Sequence, residues 1–235
     1  EAMYQQVPLD AAGSWVPQDK FIRVAKDEVP DNLRILIGVD IALSTTKRND
    51  FSVALVAGLD RKGNLYFLDL IRQRQAPDQF VDSVLQMVRN YKPGYVLIDK
   101  DGASRIWSEI LMTRAREEKI GVNLHIMPHG NRAKEERASP LRTALLTGRA
   151  FFLNTETMTP ALTELMQFPG ADHDDCLDAA ALIARMSLRM GRGEEPPEEK
   201  SAEIEPQIIS MNGKQYLNAS LDDMHEDRQE GQYSF

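Results

Sequence analysis

Two short runs of apolar residues in this chain each end on an aspartate. Residues 35–39 lead directly into Asp40, and residues 95–98 lead into Asp99. Runs that are apolar at every position are typical of strands buried on both faces of a sheet. Open α/β sheets bind ligands beyond the carboxyl ends of their strands, so adjacent strands would direct both carboxylates into one cleft. The runs therefore predict an α/β fold with an acidic site.

The pattern between and after these runs predicts the rest of the sheet. Residues 51–59 and 65–73 are strand-like and are joined by a Gly-containing loop of hairpin length, which implies three consecutive antiparallel strands. Later elements alternate between helix and strand. The predicted helices lie between Pro77 and Lys92, around Trp107, and over 134–147 and 176–190, and the later strands over 124–127 and 150–153.

This order of elements describes a ribonuclease H-like topology. We predict an α/β fold with a mixed sheet, in which three antiparallel strands are followed by parallel strands and helices cover both faces. The first of the three, ending on Asp40, is expected to lie inside the sheet.

Composition divides the chain into three regions. Residues 1–32 lack sustained periodicity and are interpreted as a linker, residues 33–190 as the domain, and residues 191–235 as an acidic, largely flexible tail. The formal net charge is −8, but the tail holds 11 acids and 4 bases and so carries −7 of it. Because the body is nearly neutral, overall charge does not exclude a polyanionic partner. A small hairpin is expected within residues 208–217.

Cysteine usage and hydropathy indicate the compartment. Cys176 is the single cysteine, so there is no internal disulfide and no Cys-based zinc site, which favours a reducing compartment such as the cytosol. No window approaches the roughly 20 apolar residues of a membrane span, so no membrane partner is expected. The start at Glu1, without a Met or a signal pattern, is interpreted as a cut from a longer protein.

A third group of acids opens the last predicted helix. Asp175 and Asp178 are three residues apart, so they share a helix face, and a helix N-terminus favours negative charge. A simpler interpretation is that Asp174 or Asp175 caps the helix. Helix capping explains one of Asp174 and Asp175 better than it explains both of them together with Asp178. Asp40 and Asp99 could likewise be turn or capping residues if each is taken alone.

Together the acids predict a metal site. Several carboxylates within a few ångströms of each other remain ionised only if a cation lies between them. Oxygen ligands favour Mg²⁺ or Mn²⁺ over Zn²⁺. We expect Asp40, Asp99, Asp175 and Asp178 to be both the metal ligands and the catalytic residues, holding two ions for phosphodiester hydrolysis without a protein nucleophile.

Basic residues are available for a DNA backbone but form no continuous stripe. The candidates are Lys47, Arg48, Arg72, Arg74, Arg105, Arg114, Arg116, Arg132, Lys134 and Arg137. His173 could contact a metal or a phosphate, or lie on the surface.

The motifs that carry these acids resemble a known family. They are Ile-Gly-Val-Asp-Ile-Ala (37–42) with Asn-Asp-Phe-Ser (49–52), Val-Leu-Ile-Asp-Lys-Asp-Gly-Ala-Ser (96–104) and His-Asp-Asp-Cys-Leu-Asp-Ala-Ala (173–180). In this order they resemble the C-terminal nuclease domain of the large terminase subunit of tailed bacteriophages, over about residues 33–190.

The resemblance implies roles for the site and the protein. Asp40 corresponds to the first metal-binding acid and Asp99 to the second, and the related Holliday-junction resolvases place an Asp-x-x-Asp-Ala pair where Asp175 and Asp178 stand. It also implies cutting of concatemeric viral DNA during genome packaging, in the cytoplasm of the infected bacterial host. The implied partners are double-stranded DNA, an N-terminal ATPase domain, the small terminase subunit and the portal.

The sequence contains no Gly-x-x-x-x-Gly-Lys-Ser/Thr phosphate loop, so an ATPase half is expected to lie outside this chain. Two other functions remain open at this point. One is a Holliday-junction resolvase or transposase-like nuclease, which would share the fold and the acids. The other is a non-catalytic interaction module, in which the carboxylates are helix caps and the acidic tail binds a basic partner.

Overall fold

A computed structural model describes most of the chain. It covers residues 15–42, 51–100, 102–128 and 133–191, with backbone alone at 102–103, 208–211 and 214–217. The chain divides into two compact units, Glu1–Pro196 and Pro197–Phe235. None of the described helices combines the length and apolar content of a membrane span.

The elements of the first unit follow the predicted alternation. The strands are β1 (Ile22–Val24), β2 (Arg34–Asp40), β3 (Ser52–Leu59), β4 (Leu65–Gln73), β5 (Tyr95–Asp99), β6 (Leu124–Met127) and β7 (Ala150–Leu153). The helices are α1 (Pro77–Tyr91), α2 (Gly102–Glu117), α3 (Lys134–Arg137), α4 (Ser139–Leu146), α5 (Thr159–Gln167) and α6 (Asp175–Gly191).

The second unit contains one described hairpin. Its strands are β8 (Ile208–Met211) and β9 (Lys214–Leu217), which pair antiparallel and confirm the hairpin predicted there. The rest of the predicted flexible tail lies outside the described residues, as do Lys47, Arg48 and Arg132 among the predicted DNA contacts.

Within the described residues, seven strands form one mixed sheet in the order β1-β7-β4-β3-β2-β5-β6. The pairs β2/β3 and β3/β4 are antiparallel, and every other neighbouring pair is parallel. This arrangement confirms the predicted fold class, and β2 lies inside the sheet between β3 and β5.

The two faces of the sheet bury separate apolar clusters because successive strand residues point to opposite sides. In β3, Val53 and Leu55 pack on the face covered by α4, α5 and α6. Ala54 and Val56 pack on the other face, with residues of α1 and α2. Helices therefore cover both faces, as the sequence predicts.

Three local features differ from the sequence-based expectations. Residues 22–24, placed in the predicted linker, form β1 on the sheet edge, where Phe21 packs against Phe152. The single helix predicted over 134–147 is two helices, because Pro140 has no N–H and begins a new helix rather than continuing α3. Helix α5 was not predicted at all.

The closest approach between helix and sheet occurs at Gly38. A Cβ at this position in β2 would lie 2.2 Å from the carbonyl oxygen of Ala179 and 3.0 Å from the side chain of Ile183, both in α6. Only glycine therefore lets α6 lie directly on β2. The contact places the first turn of α6 over the carboxyl end of this strand.

Replacing Gly38 by alanine should separate α6 from β2. We expect the free energy of unfolding to fall by about 1–3 kcal/mol or more, because backbone rather than a flexible side chain occupies the space. Urea unfolding followed by circular dichroism measures this. Gly121→Ala is the control, since nothing lies within 4 Å of a Cβ there. Equal stability of the two variants would contradict the argument.

Candidate active site

Asp40 and Asp99 end two neighbouring parallel strands. Val39 of β2 is in register with Ile98 of β5, and the two aspartates occupy the next position of each strand. Because side chains alternate along a strand, the aspartates share the face of Gly38 and Leu97. That face carries α6, so both carboxylates lie on the side of its first turn.

The remaining predicted acids lie in that first turn. Asp175 begins α6, and the amide of Asp178 donates to the carbonyl oxygen of Asp174 at 3.1 Å, which closes the first helical hydrogen bond. The carboxylates of Asp175 and Asp178 are both mostly buried. Their surroundings differ, so they are not interchangeable.

Asp178 lies on the β5 side of the site, where Arg137 joins it to Asp99. The Nη1 atom of Arg137 is 2.7 Å from Asp99 Oδ2, and its Nη2 atom is 3.6 Å from Asp178 Oδ1. Arg185 Nη1 contacts the other oxygen of Asp99 at 2.9 Å, while its Nη2 atom donates to the carbonyl of Pro128. Two of the predicted ligands are thus brought together around one guanidinium.

Lys134 provides a further positive charge on this side. Its Nζ atom is 2.7 Å from Asp178 Oδ2 and also contacts Asp174. Burial raises the pKa of Asp178, although Lys134 and Arg137 oppose that rise. Burial alone would lower the pKa of Lys134, but the charge of Asp178 and the hydrogen bonds to both aspartates raise it. The attraction between the two groups favours the charged form of each and opposes the effect of burial.

Asp175 lies on the β4 side, in a less balanced environment. Burial raises its pKa to about 6, and the nearby carboxylate of Glu164 adds to the rise. The positive charge of Arg72 opposes the rise, and the Nδ1 atom of His173 lies 4.0 Å from Asp175 Oδ2. This buried Oδ2 atom has no hydrogen-bond partner among the described residues. Such an atom has ligand capacity that the described residues leave unused.

Basic and aromatic side chains border the acids on the β4 side. The guanidiniums of Arg72 and Arg74 lie 3.7 Å and 4.0 Å from the ring centroid of Phe51, and His173 meets the same ring edge-on. Other predicted DNA contacts lie elsewhere. Arg105 and Arg114 belong to α2 and pair with Glu109 and Asp82, on the face opposite to the acids.

The comparisons with known proteins agree with this architecture. The family model described as "Terminase RNaseH-like domain" matches residues 37–186, which is more than half of the chain. The chain belongs to the terminase RNaseH-like domain family. Membership supports a nuclease role for this terminase domain in phage DNA packaging. No curated protein matches the sequence.

A solved structure shows the same fold. The large terminase nuclease from thermophilic phage G20c is 22% identical, with 70% of this chain and 93% of that chain covered and a TM-score of 0.52. The large terminase nuclease domain of Thermus phage P74-26 is 18% identical, with 70% of this chain and 90% of that chain covered and a TM-score of 0.47. RuvC of Thermus thermophilus is 14% identical, with 68% of this chain and 96% of that chain covered and a TM-score of 0.41.

The donors of this terminase domain suit a hard divalent cation. Carboxylate oxygens reach the site from β2, β5 and α6, and the unpartnered Oδ2 atom of Asp175 is one of them. In the arrangement of the described residues, no three His, Cys, Asp or Glu side chains are close enough to hold an ion. Arg137 and Lys134 instead lie against the acids, so binding an ion there requires these cations to shift.

Two residues at this site were missed by the sequence analysis. Arg185 follows Asp178 by seven positions, two turns along the same helix face, so the helical period could have suggested it. Glu164 lies in α5, which was not predicted, and its neighbours Leu162 and Leu165 are simply apolar. No local signal distinguishes it from a surface glutamate.

Substitution Asp175→Asn should stabilise the fold at neutral pH. The folded-state pKa of about 6 exceeds the ordinary 3.8, so the folded state loses stability as the pH rises between these values. Asn removes this charge. The stability of D175N relative to wild type should therefore increase as the pH rises through that window and then level off. Thermal unfolding measured across acidic to neutral pH tests this.

The exposed residue Asp172 provides the matched control. Asp172→Asn makes the same chemical change three positions earlier, outside the buried part of the site. It should show no comparable pH-dependent gain. A D175N protein no more stable than wild type at neutral pH would contradict the burial argument.

Proposed function

We propose that this chain is a Mg²⁺- or Mn²⁺-dependent DNA endonuclease that cuts concatemeric viral DNA during genome packaging. The observation that carries the proposal is the meeting of Asp99 and Asp178, which lie on separate elements, around Arg137 at the carboxyl edge of the sheet. Asp40 occupies the neighbouring strand end on the same face. Carboxylates gathered in this way are what phosphodiester hydrolysis by divalent ions requires.

Asp40, Asp99, Asp175 and Asp178 would hold two divalent ions. When bound, two divalent ions supply Lewis-acid activation of the phosphodiester and of the water that attacks it in line. The rigid β2 and β5 strands set two of the carboxylates, and the packing of α6 on Gly38 sets the others. The protein's own contribution is therefore to bring oxygen ligands from three elements to the same edge of the sheet.

The basic residues border the acids on two sides. Lys134 and Arg137 lie on the β5 side, while Arg72 and Arg74 lie near Phe51 on the β4 side. A DNA strand crossing the acids would meet positive charge before and after the scissile phosphate. Lys134 and Arg137, already shared among carboxylates, are suited to exchange one of these contacts for a phosphate oxygen.

Terminase membership supports DNA as the substrate. We further propose that this DNA is double-stranded and that the protein acts in the cytoplasm of the infected bacterial host. An ATPase domain, a small terminase subunit and a portal are the corresponding partners in our proposal.

Substitutions Asp40→Asn and Asp99→Asn should abolish cleavage while leaving DNA binding in place. Altering residues that only support metal ligands already costs about 10–100-fold, so removing a ligand charge should cost more than about 100-fold. The measurement is nicking of supercoiled plasmid in Mn²⁺, with DNA affinity measured separately in Ca²⁺. Asp78→Asn, on the opposite face in α1, controls for loss of one negative charge. Full activity in D40N would exclude that residue.

A competition assay separates a packaging nuclease from a junction resolvase. With linear duplex and four-way junction DNA present at equal concentration, we expect no preference for the junction, because concatemer cutting acts on duplex. The ratio of the two initial cleavage rates is the measurement. A large excess of junction cleavage would instead support a resolvase.

A further inference from the structure

Glu164 is a buried acid outside the four predicted ligands. It lies in the middle of α5 between apolar residues, and only 5% of it is exposed. A buried carboxylate is costly unless its oxygens are bonded, so its partners indicate why it is there.

One oxygen of Glu164 binds the start of α6. Its Oε1 atom accepts a hydrogen bond of 3.0 Å from the amide of Leu177. The first amides of a helix have no acceptor within the helix, and a side chain just before the helix commonly supplies one. Here the side chain of Asp174 contacts Lys134. Glu164 thus provides from α5 an acceptor for the turn that contains Asp175 and Asp178.

The other oxygen connects this turn to the sheet. Glu164 Oε2 forms an ion pair with Nη2 of Arg72, at the end of β4, over 3.6 Å, and accepts no hydrogen bond from the described residues. The same guanidinium lies on Phe51, whose ring meets His173 just before α6. The contacts link Leu177, Glu164, Arg72, Phe51 and His173 in a row, and the backbone from His173 to Leu177 closes the ring. A ring of this kind limits both sliding and rotation of the helix start.

We propose that Glu164 is a positioning residue for the nuclease site. Its carboxylate, by accepting the Leu177 amide while paired with Arg72, fixes the first turn of α6 and thereby the places of Asp175 and Asp178. The expected effect of Glu164 on metal binding rests on the proposed nuclease function. The structural contact itself does not depend on that function.

Stability alone does not explain a charged residue at this buried position. Replacing buried ion pairs by well-packed apolar side chains is often neutral or stabilising. Glu164 instead brings negative charge close to Asp175 and raises its pKa. The value of the carboxylate therefore lies in orientation, because only an acceptor can bind the Leu177 amide.

Two substitutions separate the acceptor from the charge. Glu164→Gln keeps an oxygen at the same reach but removes the charge. Glu164→Asp keeps the charge but is one methylene shorter, which withdraws the oxygen from the Leu177 amide. If acceptor position matters, E164D should lower Mn²⁺ affinity by about 10–100-fold, the range for residues that orient metal ligands, and E164Q should lose much less.

The measurements are Mn²⁺ titration calorimetry without DNA, plasmid cleavage kinetics, and amide hydrogen exchange at Leu177. E164D should lower kcat more than it raises KM for DNA, and should speed exchange at Leu177. If Glu164 had a purely structural role, E164D would lower the unfolding temperature without lowering kcat more than it raises KM. Glu156→Asp is the matched control, because Glu156 is exposed on the rim of the cavity that Glu164 also lines.

The outcomes decide the inference independently of the nuclease proposal. Unchanged exchange at Leu177 in E164D, or equal losses in E164D and E164Q, would overturn the positioning role. If wild-type protein neither binds Mn²⁺ nor cleaves DNA, the endonuclease proposal fails, while faster exchange in E164D alone would still support the contact.

Discussion

The contact of α6 with β2 at Gly38 is the constraint on which the candidate site depends. Because Gly38 has no Cβ, the carbonyl of Ala179 can approach the strand backbone directly. This depth of packing carries the first turn of α6 to the carboxyl ends of β2 and β5. Without it, the acids of the helix and those of the strands would belong to separate surfaces.

Charge compensation is the second requirement, and it is uneven. Asp99 and Asp178 share Arg137 and have further cations in Arg185 and Lys134. Burial raises the pKa of both helix acids, but Lys134 and Arg137 oppose the rise at Asp178, whereas the carboxylate of Glu164 adds to it at Asp175. A fold selected only for stability would avoid such an arrangement, whereas perturbed carboxyls of this kind are concentrated at functional sites. The two helix acids thus have different surroundings, although they were predicted as one pair.

Elements with a clear apolar pattern were predictable from sequence, including the four-residue strands β6 and β7. The buried strands β2, β3 and β5 and the helix α6 have the strongest apolar patterns. Strand β1 has three residues and exists because β7 offers it an edge. Its pairing is a property of the assembled sheet, so the local sequence contained no adequate signal.

The sequence by itself determined that aspartates end two buried strands and open the last helix, since these positions follow from local hydrophobic pattern. Only the tertiary structure decided which groups neutralise and orient them. Arg185 reaches Asp99 across 86 positions, and Glu164 reaches the Leu177 amide from a helix that was not predicted. Such pairings depend on how helices pack on the sheet, and periodicity along the chain does not encode that packing.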